Sequence, residues 1–252
     1  MAVLDYHDWR IGLRIEQKPI QSTLGLWDNT FHWRATYFDG LCKMDPSLLP
    51  ECLQAEREFV ITENDIIRQS IPDHRRIVEF GCGVGRSVLA SIRQYPAKFF
   101  AGIDYAPNQI LLFHEELVRG QHRNAAAILA DVAATPFRDG SFDCLLICNQ
   151  TFGTFLGETR RSALQEAQRL LAPGGTFLIG GFTNLAIADE CYNAWDIPLE
   201  WIDYERRLVS LGPYMSLWQD EAGVIELLAN SGFVLKERRS VKLGFVDAFL
   251  RV

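Results

Sequence analysis

The chain has 252 residues, 48% hydrophobic and 23% charged, with Gly 19 and Pro 10. That balance excludes collagen-like, coiled-coil and wholly disordered chains, and the length allows one large or two small domains with a buried core. Twenty-five Lys and Arg against 32 Asp and Glu leave a net charge of −7, which disfavours nucleic acid as a partner because a negative balance weakens sequence-independent affinity for a phosphate backbone, a local basic patch aside.

No uninterrupted apolar run approaches the length that spans a bilayer, so no membrane partner is expected. The first residues, Met1-Ala2-Val3-Leu4-Asp5, meet charge too early for a secretory signal, and a cytoplasmic location is expected. Six cysteines, at 42, 52, 82, 144, 148 and 191, lack the paired short spacings of a zinc site. They read as small buried apolar residues, and no metal is expected.

All six tryptophans lie outside residues 75–181, and the stretch between them alternates short apolar runs with helical patterns. Such alternation is the mark of a parallel sheet wrapped by helices. Arg76 to Phe80 reads as a first strand ending in the glycine cluster Gly81, Gly83 and Gly85. Phe99 to Ile103 reads as a second, ending at Asp104. Pro107 then suits the first turn of a helix with Ile110, Phe113 and Leu117 on its inner face, stopping at Gly120. Ala126 to Leu129 is a third strand, ending at Asp131. The turn Asp139-Gly140 leads into a fourth, Phe142 to Ile147. A helix follows with Ala163, Leu164, Ala167, Leu170 and Leu171 on one face, ended by Pro173-Gly174-Gly175. Thr176 to Ile179 is a fifth strand. After residue 181 comes a segment of about forty residues without a clear period, a functional loop or one that hides helices. A short helix with Val224, Leu227 and Leu228 inward stops at Gly232, and Phe233 to Leu235 and Gly244 to Val252 are two closing strands.

In an open parallel sheet a ligand sits beyond the carboxyl ends of the strands. The glycines, Asp104 and Asp131 converge there. Glycines let backbone N–H groups approach a ligand, and the helix that follows offers its positive end to an anion. An acid about 20 residues past the last glycine is placed to accept hydrogen bonds from ribose hydroxyls, so Asp104 implies a nucleoside cofactor. A dinucleotide fingerprint would need Gly or Ala at 86, where Arg86 stands, and this disfavours a nicotinamide or flavin nucleotide.

Glu79-Phe80-Gly81-Cys82-Gly83-Val84-Gly85 and Gly102-Ile103-Asp104-Tyr105-Ala106-Pro107 resemble the first and second motifs of the class I S-adenosylmethionine-dependent methyltransferases. The likeness continues through Ala130-Asp131, through Pro136 to Asp143, and into Leu170 to Gly175. It implies an α/β, three-layer Rossmann-like fold with a seven-stranded, mostly parallel sheet whose last strand is antiparallel. It implies S-adenosyl-L-methionine as cofactor. Glu79, Gly81, Cys82, Gly83 and Gly85 would hold its methionine part, Asp104 the ribose hydroxyls, Tyr105 one face of the adenine, and Asp131 the adenine amino group with Val132 beside it. Cys148 and Asn149 would lie near the reactive methyl.

Two departures stand out. Ala106 occupies a position where a serine often caps the following helix in the family. Cys148-Asn149-Gln150-Thr151 replaces the acid or amide, two prolines and aromatic carried by enzymes that methylate exocyclic amines of nucleic-acid bases, and points away from them. The expected substrate is therefore a small molecule with an aromatic or apolar body. Residues 1–74 read as a helical N-terminal cap, residues 75–252 as the methyltransferase core, and residues 182–218 as a substrate-side insertion. Tyr37, Phe152 and Trp195 are the candidate acceptor contacts. Between 189 and 205, six acids and four aromatics occur without Lys or Arg, a composition suited to a cationic substrate or equally to a helix with a solvated acidic face.

No catalytic base is evident. Of the five histidines, only His7 and His32 lie in a segment that could reach the site. Transfer to a neutral amine needs no base before attack, whereas a phenol or alcohol does, so nitrogen is favoured over oxygen as the methyl acceptor. An O-methyltransferase of a phenol or carboxylate, and a non-catalytic module that only binds the cofactor, are the alternatives.

Overall fold

The structure, a computed structural model, describes residues 40–194, 199–211 and 214–252. Its centre is a seven-stranded sheet in the spatial order β3-β2-β1-β4-β5-β10-β9. The strands are β1 Arg76–Phe80, β2 Phe99–Asp104, β3 Ala125–Leu129, β4 Phe142–Ile147, β5 Leu171–Phe182, β9 Phe233–Ser240 and β10 Gly244–Arg251. β1 to β5 pair in parallel, and β10 inserts antiparallel between β5 and β9. The chain reverses from β2 and β3 on one side of β1 to β4 and β5 on the other, so the carboxyl end of β1 is the switch point where ligands of such sheets sit.

Alternation along the strands separates two apolar layers. Ile77, Leu178, Val246 and Ala248 join the layer that also holds Phe59, Phe113 and Trp218. Val78, Phe80, Phe177, Ile179 and Phe249 join the other, with Leu164, Leu170 and Leu228. Helix α1, Glu51–Ser70, covers the first layer. Its buried residues, Cys52, Ala55, Glu56, Phe59, Val60, Glu63, Ile66 and Ile67, follow the spacing of one helical face. Two of them are acids in core positions, which requires partners. Further helices are α2 Arg86–Ile92, α3 Pro107–Arg119, α4 Thr151–Thr154, α5 Gly157–Leu170, α6 Ala188–Ala194 and α7 Glu221–Asn230.

Three boundaries differ from the sequence reading. α5 ends at Leu170, and Pro173-Gly174-Gly175 lies inside a twelve-residue β5 rather than in a helix stop. The register slips opposite Phe142 and Cys144, which lets the strand absorb the turn-prone triplet as an irregularity. β9 runs on to Ser240, and the aperiodic stretch after 181 contains α6 and a three-stranded antiparallel sheet: β6 Trp201–Asp203, β7 Leu208–Leu211 and β8 Tyr214–Leu217. Strands of three or four residues are too short to show an alternation against their turns. Among the described residues, no helix is long and apolar enough to cross a membrane and no cluster could hold a metal ion.

Candidate functional site

The glycine loop begins where β1 ends. Gly83 has φ 52°, and a Cβ there would meet only Gln109 Oε1 at 3.7 Å, so this face stays open for a ligand. Gly85, with φ 79°, begins α2, and a Cβ there would overlap the Phe113 ring. Gly85→Ala is expected to lower the melting temperature, because the left-handed backbone alone costs roughly 1–2 kcal/mol and the ring cannot withdraw from a filled core. A thermal melt beside the wild type checks it.

Asp104 ends β2 and is buried. Its Oδ2 accepts from the Gly83 amide at 2.8 Å and its Oδ1 from the Ala106 amide at 3.0 Å. The carboxylate thus ties the glycine loop to the residue that opens α3, whose N-cap Ala106 makes no side-chain cap bond. Tyr105 beside it is 37% exposed. Asp131 lies beyond β3, exposed, its Oδ1 accepting from the Ala133 amide at 2.8 Å, with Val132 buried next to it. The structure therefore brings the glycine loop, Asp104, Tyr105, Asp131 and Val132 to one edge of the sheet.

Glu79 is buried on β1 and faces the layer covered by α1. Its Oε2 has no hydrogen-bond partner among the described residues. Burial pushes its carboxyl up to about 7, opposed by the Arg86 guanidinium and the Ser87 hydroxyl. An acid in that state favours a cation brought to it.

Beyond β4 the chain turns through Cys148, Asn149 and Gln150. Cys148 is buried, and its thiol is pushed well up by burial and by the carboxylates Glu63 and Glu79, which makes it a core thiol rather than a nucleophile. Asn149 has φ 49°, a left-handed conformation that asparagine tolerates. Its amide donates to Glu63 Oε1 at 2.6 Å, and its own Oδ1 is buried without a hydrogen-bond partner among the described residues. Gln150 spreads its amide between two elements: Oε1 accepts from the Phe182 amide at 2.5 Å, while Nε2 donates to Ser216 Oγ at 3.1 Å and Leu217 O at 2.8 Å. Glu63 and Gln150 have no motif to flag them. The only sequence signal for Glu63 is an acid on the apolar face of a helix.

Phe152, expected at the acceptor, is wholly buried under the Arg160 guanidinium, 4.4 Å from its ring centre, and beside Phe155. Tyr37 and Trp195 lie outside the described residues, as do His7 and His32. Of the acids after 188, Glu190 accepts from the Cys52 amide, Glu200 from Ser210 Oγ and Asp203 from Arg206. Tyr192 is buried, its hydroxyl 3.4 Å from Trp218 Nε1. α6 thus has a solvated acidic face and an aromatic packed on the core.

A glycine cradle at the switch point, an acid after β2 and a buried acid at the foot of the loop are the arrangement expected of a class I methyltransferase domain. Residues 77–175 match the family described as methyltransferase domain. That stretch of the chain is a class I S-adenosylmethionine-dependent methyltransferase domain. It is 30% identical over 105 residues to a demethylmenaquinone methyltransferase of Thermus thermophilus, covering 42% of this chain and 46% of that protein. It is 28% identical over 103 residues to a sterol 4-C-methyltransferase of Caenorhabditis elegans, covering 40% of this chain and 29% of that one. The chain thus spans less than half the length of these curated relatives. Among solved structures, a protein from Pyrococcus horikoshii has the same fold with a TM-score of 0.64 at 19% identity, covering 79% of this chain and 92% of that one. A 1,6-didemethyltoxoflavin-N1-methyltransferase from Burkholderia thailandensis, solved with its substrate and S-adenosylhomocysteine, gives 0.58 at 16% identity over 76% of this chain and 77% of that one.

Proposed function

We propose that this protein is a cytoplasmic enzyme that transfers a methyl group from S-adenosylmethionine to a nitrogen of a small metabolite with an aromatic or apolar body. The observation that carries the cofactor is the joint placement of Gly83's open face, Asp104 and the partnerless oxygen of Glu79 at the end of β1 and β2. These fit the group: the ammonium of its methionyl part meets the buried carboxylate of Glu79, its ribose hydroxyls the carboxylate of Asp104, and its adenine the face of Tyr105 with Asp131 and Val132 at the rim. Gly81, Cys82, Gly83 and Gly85 bring backbone to its amino-acid end, and Asn149 borders the reacting side. Residues 1–74 act as the cap and 182–218 as the substrate-side insertion, Tyr37 and Trp195 being their candidate acceptor contacts.

The bound cofactor supplies a methyl on a positively charged sulfur, open to in-line displacement. Glu79, Asp104 and the glycine loop would hold it with that methyl offered to an acceptor lone pair, the sulfur keeping the electrons of the broken C–S bond and the nitrogen releasing its proton as the product leaves. The chain's work is to hold the two reactants at near-attack distance and to keep water out. Nitrogen is favoured because no described histidine stands at the strand ends. His74 precedes β1 at the opposite end of the sheet, His114 is exposed on α3, and His122 follows that helix. Incubation with methyl-labelled S-adenosylmethionine and a panel of aromatic amines and phenols tests the reading. Label transfer to amines alone is the expected result, and transfer to phenols alone refutes the choice of nitrogen.

The titration of Glu79 gives a second test. With its carboxyl at about 7, roughly half of the unliganded protein carries the proton at pH 7. A cation binds the ionised form, so affinity for S-adenosylhomocysteine is expected to rise about tenfold between pH 6 and pH 8, with proton release on binding. Calorimetry in buffers of different ionisation heat reads both. A flat profile would separate Glu79 from the ammonium.

A further inference from the structure

The acid on α1 that reaches the site comes from outside the matched domain. Glu63 is almost wholly buried, and Gly180 on β5 makes room for it, since a Cβ there would overlap Glu63 Oε1. The Asn149 amide occupies Oε1, which turns Oε2 toward Arg86, and the two form an ion pair with side-chain exposures of 2% and 11%. Arg86 Nη1 is held in addition by Asn64 Oδ1 at 3.2 Å. Arg86 is the first residue of α2, directly after the glycine loop. Two groups on α1 and one amide after β4 therefore fix a guanidinium beside Glu79.

We propose that Glu63 is a positioning residue for the cofactor's amino-acid end, acting through Arg86 on the carboxylate that Glu79 offers to the ammonium. The proposal rests on the cofactor reading above. Without Glu63, more of the Arg86 charge acts on Glu79 and offsets the charge the ammonium needs. An absent Arg86 would leave Glu79 and Glu63 as two buried acids facing each other, one of which would keep its proton. Held by Glu63, Arg86 keeps Glu79 ionisable without neutralising it. Among the described residues, the other groups facing Glu79 are Ser87 on α2, the Cys148 thiol at the end of β4, and the Cys82 thiol of the glycine loop. The thiols stay protonated, so the balance lies with the two acids and the one arginine.

The test is the pH dependence of S-adenosylhomocysteine binding, measured by calorimetry between pH 5.5 and 9 on the full chain and on Glu63→Gln, Arg86→Met and Arg86→Lys. 5′-Methylthioadenosine, which lacks the amino-acid end, reports on the rest of the pocket. The midpoint of the wild-type profile is expected to move down in Glu63→Gln and up in Arg86→Met, each by about half a unit or more, and to return close to the wild type in Arg86→Lys. Methylthioadenosine affinity should stay within about twofold throughout, a change of under 0.5 kcal/mol. A midpoint unmoved in the folded variants overturns the proposal, as does an equal loss of both ligands, which would mean a structural role only. Should Glu63→Gln fail to fold, the two arginine variants decide alone: a shared, unshifted midpoint overturns it. If the wild type binds neither ligand, the cofactor reading itself has failed and this proposal falls with it. Methylthioadenosine binding with no response to the amino-acid end overturns only the role given to Glu63.

Discussion

Replacing Asp104 with alanine is expected to weaken S-adenosylhomocysteine binding by about 10- to 100-fold, since hydrogen bonds to a charged acceptor contribute roughly 1.5–3 kcal/mol each. Three things are lost together: the acceptor for the ribose hydroxyls, the bond from the Gly83 amide that shapes the cradle, and the bond from the Ala106 amide just before α3. Asp104→Asn separates them. Its amide oxygen can keep one backbone bond while the charge disappears, so an intermediate loss is expected. Titration calorimetry with a circular dichroism check of folding reads the effect. Binding unchanged in a folded Asp104→Ala would place the ribose elsewhere and remove the basis of the cofactor's orientation.

The second large effect concerns stability. Asp247 is fully buried in β10 and is held by Arg238 of β9, Nε to Oδ1 at 2.9 Å and Nη2 to Oδ2 at 2.6 Å. The two are direct cross-strand partners, and Arg238 lies over the Phe245 ring and near Glu221. Removing one member of a buried pair leaves the other desolvated and alone, which costs about 3–5 kcal/mol. Arg238→Ala is therefore expected to lower the melting temperature by roughly 10 °C in a chain of this size. The double replacement Arg238→Met with Asp247→Leu should recover most of that loss, because two apolar groups of similar volume leave nothing unpaired. Thermal melts of the three proteins check it, and equal melting of Arg238→Ala and the wild type would show the pair to be energetically idle.

The parts of the fold that local chemistry dictates could be read from residues alone. The short β-prone runs ending in Gly81, Asp104 and Asp131 mark the strand ends and hence the cofactor edge. The helix from Pro107 to Arg119 follows from its proline start and the spacing of Ile110, Phe113 and Leu117. What escaped the reading depends on contacts between distant residues. Glu63 acquires its place only when α1 packs on β5 and meets Asn149, 86 positions away. Asp247 looks out of place in an apolar strand until the register puts Arg238 opposite it. Pro173-Gly174-Gly175 has the composition of a helix stop, yet pairing with β4 draws it into β5. The sheet of β6 to β8 has strands too short to carry a period.

The double attachment of Gln150 bears on how the segment after β5 is held to the sheet. Its amide group is the fastening between the loop after β4 and the insertion: one end grips Phe182 where β5 leaves the sheet, the other grips Ser216 and Leu217 on β8. The cradle of Gly83 and Asp104 takes no part in that fastening. Any change between Phe182 and Trp218 that keeps this fastening must offer the Gln150 Nε2 two oxygens in the places of Ser216 Oγ and Leu217 O. A change that omits them leaves a buried amide unpaired, a penalty of about 1–3 kcal/mol. The side chain at position 150 is thus the pin by which the end of β5 and the end of β8 are kept in step with the loop after β4.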